Sequence, residues 1–340
     1  MLRFRSIISL VCLSALCLTA CSRHQLEQGR KFTLYPVSFK ELPGWNQDSP
    51  TEVLPALLKS CTKPAAEWRA FCQKLPKSNV SDTQLRAYFE KTLQPYAVVS
   101  YGSNVGKITG YYESELSGSR YQTKSSQVPV YGLPYNYKSN QKIQSRKEIE
   151  AGKINAPIIA WADNPVDLFI MHVQGAGRMK TPQGEIKLAY AGNNGHPFKS
   201  LSSIMSQAGV LEKGQTTMNQ MKSWLNAHPQ KAKELLAKNP RYIFFREMKS
   251  ETPIGSAGYA LTPMRSVAVD KNFIPMGTLM WLDTYDGDKA PIRRMVVAQD
   301  TGAAITGPIR ADFFWGHGDY AFYKAGRMHS NGRYFLLLPK

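Results

Sequence analysis

Short apolar runs, each ended by glycine, proline or asparagine, restrict this chain to a fold built mostly from β-strands. β-Branched and aromatic residues fill these runs, and runs of this length and composition favour strands. They occupy residues 97–200 and return after Tyr242. The sequence therefore predicts a mainly β protein. The expected strands lie at residues 32–39, 97–101, 108–112, 128–131, 158–161, 168–173, 267–269, 279–282, 295–298 and 334–338.

Two stretches depart from this pattern and favour helices. Residues 53–93 carry apolar side chains at helical spacing, and Ser81 or Asp82 can cap a helix within them. Residues 200–237 show the same spacing, and Pro229 suits the first turn of a helix. We therefore expect some helices beside the sheet.

The first residues have the pattern of a secretion signal. Two arginines precede an apolar stretch at residues 7–18, which is too short to span a bilayer as a stable anchor. Small residues then precede Cys21, as in a lipoprotein processing box. The sequence predicts a signal peptide at residues 1–20, a lipidated Cys21, and a tether at residues 21–30.

A lipid on Cys21 would hold a water-soluble body at a membrane surface. Ser22 follows this cysteine, where an aspartate would resemble an inner-membrane retention signal, so we expect the periplasmic face of the outer membrane. The alternative is an ordinary cleaved signal with a cysteine nearby by chance.

The remaining cysteines predict a disulfide and no metal site. Of five cysteines, two lie within the predicted signal peptide and Cys21 takes the lipid, which leaves Cys61 and Cys72. An exported pair of this kind favours a disulfide across a local turn. Histidines and cysteines lack metal-ligand spacing, so we expect neither a metal nor a cofactor.

The charge of the chain indicates an anionic partner. The formal net charge is +18, and about +16 remains once Arg3 and Arg5 leave with the signal. Nucleic acid is the usual partner for such a charge, but export and the scattered basic residues argue against it. A cell-wall polymer that carries peptide carboxylates fits both the charge and the location. We expect a monomer.

Three aspartates near the C-terminus are candidates for chemistry. Asp270 and Asp300 each follow an apolar run, and Asp312 precedes the aromatic residues 313–315. Burial against aromatic rings would raise the pKa of Asp312, as a general acid at neutral pH requires. The alternative is that each aspartate only caps a turn.

The motifs around these aspartates resemble those of the membrane-bound lytic murein transglycosylase A family. Several long motifs in the same order are more specific than one short pattern. Two departures are Ala303, where the family more often has glycine, and residues 138–153, which match no motif. The three-aspartate domain is represented by residues 267–270, 274–278, 300–305 and 307–312, and the other domain by residues 109–113, 171–175 and 190–200.

This resemblance implies a two-domain fold. Residues 31–108 and 251–340 would form a double-psi β-barrel, and residues 109–250 would be inserted as a second β-rich domain. A groove between the domains would hold a glycan strand.

The resemblance also implies a lytic transglycosylase acting on the glycan strands of peptidoglycan. Asp312 would be the acid and base, and Asp300 would raise the pKa of Asp312 or orient sugar hydroxyls. The residues expected to contact substrate are Thr109, Tyr111, Tyr112, Glu113, Gln174, Gly175, Tyr190 and Asp270.

Two other functions remain open from the residues alone. A hydrolase of the same bond would use Glu113 or Asp300 as a second carboxylate. A catalytically silent lipoprotein would only bind glycan strands.

Overall fold

Strands dominate the part of the chain that this computed structural model describes, which is residues 32–139, 141–211 and 217–340. The expected mainly β fold with some helices is confirmed. The strands there are β1 (Phe32–Pro36), β2 (Leu93–Ser100), β3 (Gly106–Ser119), β4 (Val128–Tyr131), β5 (Ile158–Ala162), β6 (Ala176–Thr181), β7 (Gly184–Asn193), β8 (Ile243–Glu247), β9 (Ser266–Val269), β10 (Leu279–Tyr285), β11 (Pro291–Asp300), β12 (Arg310–His317) and β13 (His329–Pro339).

Helices occupy both stretches where helical spacing predicts them. Within the described residues, none is long and apolar enough to cross a membrane. The predicted signal peptide, the tether and Cys21 lie outside the described residues. The helices are α1 (Pro50–Ser60), α2 (Arg69–Lys74), α3 (Asp82–Thr92), α4 (Arg146–Glu150), α5 (Pro165–Gln174), α6 (Leu201–Gln207), α7 (Met218–Ala227), α8 (Pro229–Leu236) and α9 (Gly318–Arg327).

The prediction of a strand at residues 168–173 is wrong, because these residues lie in helix α5. The side chain of Asn164 accepts hydrogen bonds from the backbone amides of Val166 and Asp167, and Pro165 occupies the first turn. A short apolar run alone does not distinguish a buried strand from a buried helix. The cap at Asn164 indicates that this run lies in a helix.

Strand β3 connects two sets of strands. Its first half pairs with β12 in parallel and with β13 in antiparallel orientation. Its second half pairs with β6 and β5. The first set continues through β9, β11, β10, β13, β2 and β1, and the second through β7 and β8. The boundary expected between residues 108 and 109 therefore falls inside one strand.

Both faces of strand β10 are buried. Leu279 and Trp281 point to one face, where they pack with Leu57 of α1 and Phe89 of α3. Met280 and Leu282 point to the other face, in a second apolar cluster. Side chains alternate along a strand, so an unbroken apolar run suits a strand covered on both sides. Full burial of each such side chain stabilises the fold by about 1.5–3 kcal/mol.

A buried ion pair joins the N-terminal helices to the later strands. Asp48 accepts hydrogen bonds from both terminal nitrogens of Arg265, at 2.7 and 2.8 Å, and from the backbone amide of Met295 at 2.8 Å. Both side chains of the pair are only 4% exposed. This pair links positions 217 residues apart.

A disulfide fastens the segment between α1 and α2. It joins Cys61 to Cys72. The Lys59 ammonium donates to the carbonyl of Ala260 at 2.9 Å, and the Tyr259 hydroxyl donates to the carbonyl of Lys63 at 3.3 Å. The disulfide-closed turn therefore packs against the loop that precedes β9.

Candidate active site

Two of the three aspartates lie on either side of one residue of the sheet. Strand β9 lies between β11 and β12. Ala268 of β9 is in register with Asp300 of β11 and with Asp312 of β12, and Asp312 is also in register with Thr109 of β3. Strand pairing therefore gathers carboxyl and hydroxyl groups that are far apart in sequence.

The Asp312 carboxyl is partly buried and accepts one side-chain hydrogen bond. Its Oδ1 atom accepts from the Thr109 hydroxyl at 2.6 Å, and that hydroxyl accepts from the Arg310 guanidinium at 2.8 Å. Burial raises the pKa of Asp312, the Thr109 hydrogen bond and the Arg310 charge oppose this, and the Asp300 charge adds to it. The pKa of Asp312 therefore lies above its ordinary value, which favours a carboxylic acid able to donate a proton.

The Asp300 carboxyl is held by three donors. Its Oδ1 atom accepts from the backbone amides of Ser256 and Thr301, each at 2.9 Å, and its Oδ2 atom accepts from the Tyr111 hydroxyl at 3.0 Å. Burial raises the pKa of Asp300, and these hydrogen bonds oppose it because they stabilise the charged form. Asp300 is thus better prepared than Asp312 to carry a negative charge.

Tyr111 contacts both the Asp300 carboxyl and the aromatic run of β12. Its ring packs against Phe314 with the ring centres 5.1 Å apart. Burial and the charges of Asp300 and Asp312 raise the pKa of Tyr111 well above its usual range. The hydroxyl therefore keeps its proton and remains a donor.

Gly110 lets β3 approach the neighbouring helix. A Cβ atom at this position would lie 2.7 Å from the indole nitrogen of Trp315 and 3.0 Å from the Cα atom of Ala325 in α9. Because successive side chains alternate between faces, Thr109 and Tyr111 point away from this contact. The helix supports one face of β3 while the polar groups occupy the other.

Two predicted substrate contacts on β3 are buried in the protein instead. Tyr112 packs against Phe322 of α9, and burial raises its pKa to about 12. Glu113 is 1% exposed and accepts a hydrogen bond from the Arg178 guanidinium at 3.0 Å. Helix α9 therefore covers Tyr112, and Arg178 of β6 covers Glu113.

Asp270 fastens loops and does not join the other two aspartates. Its carboxylate accepts from the backbone amides of Asn272 at 3.0 Å and Gly307 at 2.8 Å, and the residue is 9% exposed. Each carboxylate oxygen thus has one backbone donor, and the substrate contact of Asp270 stays a prediction. The turn-capping alternative describes Asp270 well.

The remaining predicted contacts lie around α5 and β7. The Gln174 side chain accepts from the backbone amide of Tyr112 at 3.1 Å and so fastens the end of α5 to β3. Gly175 ends α5 with a φ of 82°. Tyr190 on β7 is 45% exposed, and its hydroxyl accepts from the Asn193 amide at 2.6 Å.

Sequence reasoning missed the roles of Arg310 and Ser256. Arg310 lies two residues before Asp312 on the same strand, so alternation alone could have placed both on one face. Ser256 contributes its backbone amide, which every residue except proline carries, so no side-chain pattern could have indicated it.

The chemistry available here is proton transfer. Among the described residues, no three histidine, cysteine or acidic side chains are grouped to hold a metal ion. A partly buried acid beside a better-stabilised carboxylate can donate a proton and take one back.

Two family descriptions match successive parts of the chain. Residues 107–246 match the MltA specific insert domain, and residues 265–338 match the 3D domain. The membrane-bound lytic murein transglycosylase A homolog of Buchnera aphidicola is 31% identical over 271 residues, which are 77% of this chain and 73% of the relative.

Two solved structures agree with these matches. MltA from Neisseria gonorrhoeae is 30% identical with a TM-score of 0.80, over 92% of this chain and 94% of that one. The membrane-bound lytic murein transglycosylase from Agrobacterium tumefaciens is 30% identical with a TM-score of 0.81, over 90% of this chain and 97% of that one. The chain therefore belongs to the membrane-bound lytic murein transglycosylase A family.

Proposed function

We propose that this protein is a lytic transglycosylase of peptidoglycan. It cleaves the β-1,4 bond between N-acetylmuramic acid and N-acetylglucosamine and leaves a 1,6-anhydromuramic acid end. Family membership supports the reaction. The observation that carries the assignment of residues is the unequal hydrogen bonding of two neighbouring carboxyls, with three donors on Asp300 and one on Asp312.

Asp312 acts as acid and then as base. Its carboxylic acid donates a proton to the oxygen that joins the two sugars, and the bond from that oxygen to C1 of the muramic acid breaks. The resulting carboxylate takes the proton from the C6 hydroxyl of the same sugar, whose oxygen forms the new bond to C1. One carboxyl therefore suffices, and no water enters the product.

Asp300 and Tyr111 prepare Asp312 for this work. The charge of Asp300 raises the pKa of Asp312 by like-charge repulsion, so the acid stays protonated closer to neutral pH. Tyr111 donates to Asp300 and stabilises that charge.

A lysozyme-like hydrolysis is less well supported. Hydrolysis needs a second carboxylate that attacks the sugar or activates water. Glu113 is paired with Arg178, and Asp300 is occupied by three donors. Neither carboxylate has the free, solvent-facing oxygen that this role requires.

We also infer a double-psi β-barrel from residues 31–108 and 251–340, with residues 109–250 inserted as a second β-rich domain. The pairings β13–β10, β10–β11, β11–β9, β9–β12, β12–β3 and β3–β13 support a barrel because they return to their starting strand. The match of residues 107–246 to the insert domain supports the division.

Substrate would lie along the side of the sheet that carries Thr109 and Tyr111. Gln174, Gly175 and the exposed Tyr190 would contribute contacts from the inserted domain. A lipid on Cys21 would hold the enzyme at the periplasmic face of the outer membrane, within reach of the cell wall.

The decisive experiment is mass spectrometry of purified cell walls digested with the protein. Anhydro ends, lighter by one water than hydrolysis products, are the expected result. Asp312→Asn should lower turnover by a factor of about 100 or more while glycan binding persists. Exposed Asp319→Asn is the matched control and should retain activity. Reducing muramic acid ends, or full turnover by Asp312→Asn, would contradict the proposal.

A further inference from the structure

Arg310 contacts the hydroxyl that holds Asp312, and its role can be derived from the direction of the hydrogen bonds. We propose that Arg310 is a positioning residue that orients the Thr109 hydroxyl and thereby assigns Oδ2 of Asp312 as the oxygen that carries the transferable proton. This inference rests on the proposed function of Asp312.

The Arg310 guanidinium is clamped between β12 and β3. One terminal nitrogen donates to the Thr109 hydroxyl at 2.8 Å. The other donates to the backbone carbonyl of Lys107 at 3.3 Å and to that of Ala311. None of these three acceptors carries a full charge, so the charge of Arg310 is not neutralised by a direct carboxylate contact there. Asp312 is the anion that acts on it at longer range.

The donor and acceptor roles follow from elementary chemistry. A guanidinium group only donates hydrogen bonds, so the Thr109 oxygen must accept from Arg310. The single hydroxyl proton of Thr109 is then directed at Oδ1 of Asp312, 2.6 Å away. The carbonyl oxygen of a carboxylic acid is a better acceptor than its hydroxyl oxygen, so the oxygen that accepts this bond is favoured as the carbonyl oxygen. Oδ2 is therefore the atom left to donate to the glycosidic oxygen.

Loss of Arg310 would free the Thr109 hydroxyl to turn. It could then accept a hydrogen bond from a proton on Oδ1, and that proton would point at the protein instead of the substrate. We therefore expect the variant to bind glycan but to transfer the proton slowly.

Several titratable groups surround the hydrogen bonds that join Arg310, Thr109 and Asp312. Asp300 on β11 and Tyr111 on β3 act on Asp312 from neighbouring strands. His329 on β13 is in register with Thr109, and its pKa is lowered by burial and by the charges of Lys107 and Arg310. Because His329 would also respond to a change at Arg310, the pH experiments use a His329→Gln background for every variant.

The first test is a double-mutant cycle between Arg310 and Thr109. Arg310→Met and Thr109→Val should each lower kcat roughly tenfold with little change in KM, and the double variant should lose no more than either single variant. Thr109→Ser should restore most of the kcat lost in Thr109→Val. Arg293→Met, at a partly exposed arginine of β11, is the matched control.

A pH profile separates positioning from mere structural support. Arg310 stabilises the ionised form of Asp312, so its removal should raise the pKa of that carboxyl and move the alkaline limb of kcat to higher pH. Arg310→Lys, which keeps the charge, should move the limb less than Arg310→Met. If Arg310→Met does not fold, the alkaline limbs of Arg310→Lys and Thr109→Val are compared with that of the wild type instead.

A titration without substrate makes the test independent of the reaction. The carboxyl carbon of Asp312 is followed by ¹³C NMR in the full chain, and Arg310→Met should shift its midpoint upward. If the wild type makes no anhydro product, the proposed function is wrong. This titration still tests whether Arg310 acts on Asp312. Additive losses of kcat, an effect confined to KM, or an unchanged Asp312 titration would each overturn the inference.

Discussion

Asp300 and Asp312 flank the same alanine, yet the atoms around them differ. Backbone amides reach Asp300 because it ends β11 beside the loop at Ser256, whereas Asp312 lies inside β12 and receives a single hydroxyl. Hydrogen bonds to a carboxylate stabilise its charge, so their number separates the two groups even where burial acts on both. This difference lets two aspartates share one site without sharing one role.

A single substitution can remove the Tyr111 hydroxyl, which donates to Asp300. In Tyr111→Phe, Asp300 loses a donor to its charged form, so its pKa should rise further. Asp300 would then be protonated over more of the acidic range and would act less on Asp312. The pKa of Asp312 is then raised less by Asp300, so we expect kcat near neutral pH to fall roughly tenfold and the alkaline limb of its pH profile to move to lower pH.

The control for this change is Tyr135→Phe, because Tyr135 is 70% exposed. The measurement is turnover of purified peptidoglycan from pH 4 to pH 9, in steps of about one pH unit. Shifts of a pKa by about one unit are common in proteins. A Tyr111→Phe profile that superimposes on the wild type would show that the hydroxyl does not act on Asp300.

Among the structural elements, β3 connects the site to the rest of the chain. The sequence predicts a strand at residues 108–112, and the observed strand extends over Gly106–Ser119. Its extra length lets one strand pair with β12 near Asp312 and with β6 beyond Glu113. Glycine at position 110 is needed because α9 lies so close to this strand.

The turn closed by Cys61 and Cys72 gives a prediction about stability. Replacing both cysteines by alanine should lower the free energy of unfolding by about 2–3 kcal/mol, because a short closed loop no longer restricts the unfolded chain. Urea unfolding of the variant and of reduced wild type should give similar midpoints, both below that of the oxidised protein. Identical midpoints for all three would show that the disulfide contributes nothing.

Strands from the early and the late part of the described chain pair within one set. Strands β1 and β2 precede the segment that matches the insert domain, and β9 to β13 follow it, yet they belong to one set of paired strands. The Asp48–Arg265 pair connects the same two parts through side chains. Residues 107–246 therefore lie in sequence between strands of one set.

Breaking that pair should weaken the whole fold. Asp48→Ala removes the buried partner of the 4%-exposed Arg265 side chain, which keeps the exposed Glu52 carboxylate, so we expect a loss of about 3 kcal/mol in the free energy of unfolding. Glu234→Ala, which breaks the exposed pair with Lys231, should cost less than about 1 kcal/mol. Urea unfolding measures both, and equal losses would argue against a special role for Asp48.

Much of this architecture follows from local patterns in the chain. Apolar runs correctly predict β4, β5, β9 and β10, because the β-branched, aromatic and other apolar side chains that fill them suit a pleated, buried surface. The composition of residues 168–173 predicts a strand, and this is wrong because the cap at Asn164 begins a helix there. Strand β12 was not predicted, since glycine and charged residues interrupt its apolar pattern.

The amino-acid sequence by itself determined the mainly β composition, the motifs around the aspartates and the resemblance to one family, because these depend on residue identity and short-range spacing. Only the tertiary structure decided that Thr109 meets Asp312 across 203 positions, that Tyr111 meets Asp300 across 189, and that Glu113 is taken by Arg178. Such contacts depend on which strands pair and in which register. That choice is made by the packing of the whole chain, so no local pattern contains it.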